Sequence, residues 1–135
     1  MSTSRQTPDA PTTWREVPVP EQHPQLPWPV VARSQELAAG ERFPPHVHAW
    51  NQLVFATEGV LQVTVAHARH VISPQQALWV PTGTVHHTGA LGPAAFRNLY
   101  LADDTALGMP THCVVLEVST LLRERGEWLQ LVGLI

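Results

Sequence analysis

The sequence predicts an all-β domain of short antiparallel strands, arranged as a sandwich or barrel. Turn-forming residues recur at close spacing between Glu58 and Pro93. Leu61, Val63 and Val65 alternate with Gln62 and Thr64, the period-2 pattern of a half-buried strand. The whole run from Asn51 to Ala102 has β character. At 135 residues the chain forms one domain with a real core.

Residues 1–29 hold seven of the thirteen prolines and almost no periodic apolar pattern, so they read as a flexible Pro-rich arm. Trp14, Leu26 and Trp28 are its candidate docking points. The barrel is expected over residues 30–118. Val30–Leu37 has strand composition, and Ala39-Gly40 supplies a turn. Further turns fall at Glu58-Gly59, His67-Ala68, Ser73-Pro74, Thr82-Gly83 and Leu91–Pro93. Between them lie strands at Arg69–Ile72, Ala77–Val80, Val85–Ala90 and Ala95–Leu101. Asp103-Asp104 to Pro110 is a loop, solvated at Asp103-Asp104, and His112–Val118 a last strand. Ser119 is an N-cap, and residues 119–135 read as a helical segment with Leu121, Leu122, Trp128, Leu129 and Val132 as its apolar stripe.

Composition removes several functions. The chain is 14% charged, its cations are eight arginines without a lysine, and its formal charge is −3. No basic run exists to neutralise phosphates, so direct nucleic-acid binding by this chain is not expected. A single cysteine, Cys113, excludes an internal disulfide and a multi-thiolate zinc site. The N-terminus has no apolar core of a signal peptide, and no apolar run is long enough to cross a bilayer. The expected location is cytoplasmic, with no membrane partner.

The chemistry concentrates in two places. His46 and His48 follow Pro44-Pro45, and Gln52 comes four residues later; in a continuous strand all three share one face. His86 ends the turn Pro81-Thr-Gly-Thr-Val. Such a set holds a divalent transition metal through His46, His48, Gln52 and His86, or lines a polar pocket that bonds a ligand or water without metal. Trp50 has the parity of the two histidines and is a candidate pocket wall; His87 has the opposite parity from His86 and should face away. On Ala95–Leu101, Asn98 and Tyr100 share one face and Arg97 takes the other, and one of these faces must line the barrel. Trp50, Gln52, Asn98 and Tyr100 are the candidate ligand-binding residues. No serine or cysteine nucleophile paired with a base is visible, so no catalytic residue is assigned.

Gly40-x5-His46-x-His48-x3-Gln52-x6-Gly59 resembles the first motif of the cupin superfamily, with Gln52 at the usual Glu position, and Pro81-x-Gly83-x2-His86 resembles the core of the second. Gln75 stands where that family has a glycine before Pro81, and Ala90 where it has an asparagine. The wording Asn51–Gly59, Ala77–Gly83 and Arg97–Leu101 is similar to the N-terminal sensor domain of AraC-family transcription regulators. The resemblance implies a cupin-type double-stranded antiparallel β-barrel (jelly-roll-like), here followed by the C-terminal helix, with His46, His48, Gln52 and His86 at its mouth. It also implies a small-molecule sensor that pairs as a homodimer, with the helix-turn-helix part of such regulators lying outside this chain.

Loss of the carboxylate at position 52 bears on both metal and ligand. Imidazoles suit Zn²⁺, Ni²⁺, Cu²⁺ or Fe²⁺, while hard ions lose their best donor. The 2-His-1-carboxylate face of non-haem iron oxygenases is absent, and an uncompensated cation favours an anionic ligand. A Gln ligand binds through its oxygen only, so its amide nitrogen needs an acceptor. The competing expectation is a stand-alone metal-dependent cupin enzyme of dioxygenase or isomerase type.

Overall fold

The computed structural model describes residues 13–19, 26–106 and 108–119. Its elements are strands: β1 (Arg15–Glu16), β2 (Val30–Leu37), β3 (Glu41–His46), β4 (Asn51–Glu58), β5 (Leu61–Val65), β6 (Ala68–Ile72), β7 (Gln76–Val80), β8 (His86–Ala90), β9 (Ala94–Leu101) and β10 (Val114–Glu117). They form two five-stranded sheets, ordered β1-β3-β8-β5-β6 and β10-β7-β4-β9-β2. All pairings are antiparallel except β1 with β3. The all-β expectation holds. The helical segment expected over residues 119–135 lies, apart from Ser119, outside the described residues.

Alternation builds the core. Phe43, Val54, Ala56, Leu61, Val63, Ile72, Leu78, Val80, Ala90 and Phe96 meet in one buried cluster drawn from both sheets. Opposite parity on the second sheet buries another cluster on its outer side, with Leu53, Ala77, Trp79, Leu99 and Leu101 at its centre. Trp79 donates its indole N–H to the Pro110 carbonyl at 2.7 Å, tying the loop before β10 to that outer face.

Two glycines stand where a side chain has no room. Gly59 turns β4 into β5 at φ 75°, and a Cβ there would lie 2.3 Å from the Pro93 carbonyl oxygen. Gly89, on the outer side of β8, lies under the Trp14 ring, which a Cβ would meet at 2.5 Å. Trp14 precedes β1, so this part of the arm adds a strand to the sheet edge and packs on its outer face. Gln62, the cross-strand partner of Gly89, is consequently buried although the sequence pattern places it outward. Leu26 packs against Val31, Trp50 and Tyr100, whereas Trp28 is 70% exposed. The turn Ser73–Gln76 closes through Gln76 N to the Ser73 carbonyl with no left-handed residue, so Gln75 there carries no strain.

Candidate metal and ligand site

His46, His48 and His86 converge, but not along one strand. β3 ends at His46, β4 begins at Asn51, and the two lie in different sheets. The continuous strand read from the sequence is therefore replaced by a crossing from one sheet to the other, with His48 on the link. A bulge also intervenes: Phe43 pairs with Thr88, yet His46 pairs with His86, so one extra residue is inserted at Pro44-Pro45. Phe43 faces the core, and unbroken alternation would send His46 outward. Two prolines cannot donate to the ladder, and the irregularity they cause turns His46 inward.

The imidazole rings lie close together. Centroids are 4.3 Å apart for His46 and His86, 4.8 Å for His46 and His48, and 5.4 Å for His48 and His86. One ligating nitrogen from each lies within 4.8 Å of the others. No carboxylate joins this group among the described residues. His48 is held from both sides: its carbonyl accepts from Gly83 N at 3.1 Å, and its ring stacks on Trp50 at 4.8 Å and 13°.

Two histidines are oriented by the same local device. His46 Nδ1 lies 2.6 Å from the Pro44 carbonyl oxygen, and His86 Nδ1 lies 2.9 Å from that of Thr84, each two residues upstream. A carbonyl only accepts, so Nδ1 carries the proton and the Nε2 lone pair is left for the cluster. His86 Nε2 is buried without a partner. Burial lowers the basicity of all three rings. His48 is pushed down to about 3, first by desolvation and then by the neighbouring His46 and His86. His86 is pushed down to about 4, again chiefly by burial, with the bond to Thr84 opposing. His46 shifts downward by burial, opposed by its bond to Pro44. At neutral pH the cluster is thus three uncharged imidazoles.

Gln52 lies on the other sheet, where its cross-strand partner Tyr100 has its ring 5.6 Å from that of His48. Its Nε2 donates to Asn98 Oδ1 at 2.7 Å, and Asn98 Nδ2 donates in turn to Gln35 Oε1. The acceptor that a ligating Gln52 requires is therefore Asn98, and Gln52 Oε1 is left buried with no partner. Asn98 and Tyr100 face inward with Gln52, while Arg97 and Leu99 face out, which decides the face of β9 that the sequence left open. The three imidazoles fit a divalent metal: fixed tautomers free the Nε2 lone pairs of His46 and His86, and the buried His86 Nε2 lacks any other partner.

Other sequence candidates separate from this cluster. His87 occupies the opposite face of β8, where burial first and then Arg42 and His46 lower its basicity, with Glu16 opposing. His67 and His112 are exposed, His70 is half-buried, and His23 lies outside the described residues. Trp50 is only 2% exposed, and its indole N–H is buried without a partner. Asp103, read as solvated loop, accepts from Asn51 Nδ2 at 2.9 Å and Thr82 Oγ1 at 2.7 Å. Asn51 Oδ1 in turn accepts from Thr82 N at 3.1 Å, so these residues brace the turn that carries His86. Sequence reasoning missed Asn51, Asp103 and Gln35. For Gln35 a signal existed, a polar residue sharing parity with Val31 and Leu37.

Residues 33–101 match the family model of the cupin domain. The chain is 36% identical over 81 residues to the HTH-type transcriptional regulator NimR of Escherichia coli K12, a match covering 60% of this chain and 29% of that protein. The chain thus spans under a third of that regulator's length. Among solved structures, a cupin superfamily protein from Desulfitobacterium hafniense aligns with a TM-score of 0.53 at 20% identity, covering 55% of this chain and 68% of the other. KdgF from Halomonas sp. aligns with a TM-score of 0.51 at 24% identity, covering 53% and 68%. At these identities the two structures speak for the fold alone.

Proposed function

The chain belongs to the cupin family, and we propose that within it the barrel is the ligand-sensing domain of an AraC-type transcription regulator, the DNA-binding helices being supplied outside these residues. The observation that carries the reading is the likeness to a helix-turn-helix regulator over 81 residues. The site adds chemical support. His46, His48 and His86 through Nε2, with Gln52 Oε1, would hold Zn²⁺, Ni²⁺, Cu²⁺ or Fe²⁺. Four neutral donors leave such an ion its double positive charge, which favours an anionic ligand such as a small carboxylate. Trp50, Asn98 and Tyr100 then bound the ligand, and the unpartnered Trp50 N–H is a donor for one of its acceptor atoms.

A route out of the site accompanies this reading. Trp50 stacks on His48 and packs with Tyr100, Val31 and Leu26 of the arm. A ligand that moves Trp50 would change how well Leu26 docks, and it shifts the arm only by its difference in affinity for the docked and undocked states. A homodimer in the cytoplasm completes the proposal; light scattering that reports a monomer at high micromolar concentration would count against pairing.

The second reading, a metal-dependent cupin enzyme, draws on the three histidines but lacks the carboxylate of the oxygenase face. A panel of small carboxylic acids separates the two. Calorimetry on metal-loaded protein should show binding, with each acid recovered unchanged after incubation in air. Conversion at enzyme-like rates would overturn the sensor reading.

A further inference from the structure

Gln52, Asn98 and Gln35 form a line of amides across the barrel interior, from β4 through β9 to β2. Each amide has one donating and one accepting end, so the orientation of one dictates that of the next. Gln35 Oε1 accepts from Asn98 Nδ2; Asn98 therefore presents Oδ1 to Gln52, and Gln52 presents Nε2 to Asn98. The line ends on Gln52 Oε1, buried and unpartnered, and Gln52 pairs across the ladder with Tyr100, whose ring lies 5.6 Å from that of His48. Gln52 and Asn98 are 4% and 3% exposed, so water cannot substitute freely for a lost partner.

We infer that Asn98 and Gln35 are positioning residues: the amide relay sets the polarity of Gln52 and so makes its oxygen a fourth donor to a cation in the histidine cluster. The inference rests on the metal reading above and deepens it. A glutamate at position 52 would be an acceptor whichever way it turned. A glutamine ligates only if something holds its nitrogen away, and the relay does this without placing a negative charge in the site. The same geometry turns the Asn98 side chain from a ligand-contact candidate into a support for the donor set. The outer end of the relay is accessible to change, since Gln35 is half-buried on the edge strand and borders a surface cavity of about 470 Å³ with Ser34, Thr57 and Arg97.

The test is Co²⁺ titration of the metal-free chain, reading affinity by chelator competition and the ligand set by visible absorption, with thermal melts to verify folding. Asn98→Leu should weaken Co²⁺ binding by about 10- to 100-fold, the usual cost of removing an outer-shell partner, and give the absorption spectrum of Gln52→Leu. Gln35→Glu, whose carboxylate can only accept, should keep the wild-type spectrum, whereas Gln35→Leu should shift it part of the way toward that of Gln52→Leu. The Gln35 pair decides the matter if Asn98→Leu does not fold, because an edge strand tolerates either residue. A folded Asn98→Leu protein with wild-type spectrum and affinity, or identical behaviour of Gln35→Glu and Gln35→Leu, would overturn the relay alone. Wild-type protein that takes up no Co²⁺, or a His48→Ala protein that binds it as tightly as wild type, would overturn the metal reading and the relay with it.

Discussion

The two halves of the proposed site are built by different means. On the imidazole side, His46 and His86 each take their tautomer from a carbonyl two residues upstream. On the amide side, Gln52 takes its orientation from Asn98, 46 residues away, and Asn98 from Gln35, 63 residues away in the other direction. A local device survives wherever its own turn folds. A relay exists only when three strands are in register. The imidazole half should therefore be tuned by local backbone and pH, and the amide half by distant neutral substitutions.

The largest expected effect comes from removing a ring. His48→Ala should abolish stoichiometric metal, measured by elemental analysis of protein purified without a polyhistidine tag; unchanged content would remove the imidazole half from any binding role.

Acid comes next, and should act on the rings alone. Well above the ordinary imidazole value of about 6.5, folded and unfolded chains both hold these rings neutral. As pH falls through that value the unfolded chain takes up protons, while folded His86 and His48 resist until about 4 and about 3. Stability of the metal-free protein should therefore be full above about pH 6.5 and decline from there toward pH 4 and below. One unit of separation corresponds to about 1.4 kcal/mol. Melting temperature against pH in wild type and His86→Gln tests this; equal slopes would remove His86 as the cause.

Restoring a carboxylate sharpens the contrast from the other side. Gln52→Glu should raise affinity for hard Mn²⁺ by roughly tenfold or more, because an anion now faces the ion at contact distance. Asn98 then has to turn its Nδ2 toward the new carboxylate, and Gln35 has to donate, a reversal that the two remaining amides permit. Competition titrations of Mn²⁺ and Zn²⁺ give the comparison, and an unchanged Mn²⁺ affinity would place residue 52 outside the donor set.

The smallest effect is expected at the arm. Leu26→Ala removes a half-buried contact with Val31, Trp50 and Tyr100, costing about 1–2 kcal/mol of docking. It should leave metal content unchanged while raising protease access near Leu26. Loss of metal in this variant would show that the arm supports the site rather than reads it.

Much of this molecule was legible before folding. Alternation at Leu61–Val65 and the turn residues placed β5 to β9 within a residue or two, since a sheet with one buried face imposes period 2 on its sequence. His46, His48 and His86 were recognisable as a set because their spacing matches a family pattern, although positions 46, 48 and 52 lie on a crossing between two sheets and not on one continuous strand.

The imidazole chemistry and the strand content follow from near neighbours along the chain: a proline pair that bulges β3, a carbonyl two residues before a ring, a glycine at a turn. Contacts between distant segments were needed to establish that Asn98 and not Arg97 faces inward, that Gln35 closes the amide line, that Asp103 braces the His86 turn, and that Trp14 covers Gly89. Those outcomes depend on which strands are adjacent and on which side another segment lies. Period-2 alternation tells two faces apart, but only the packing of one sheet on the other tells which face is the inside.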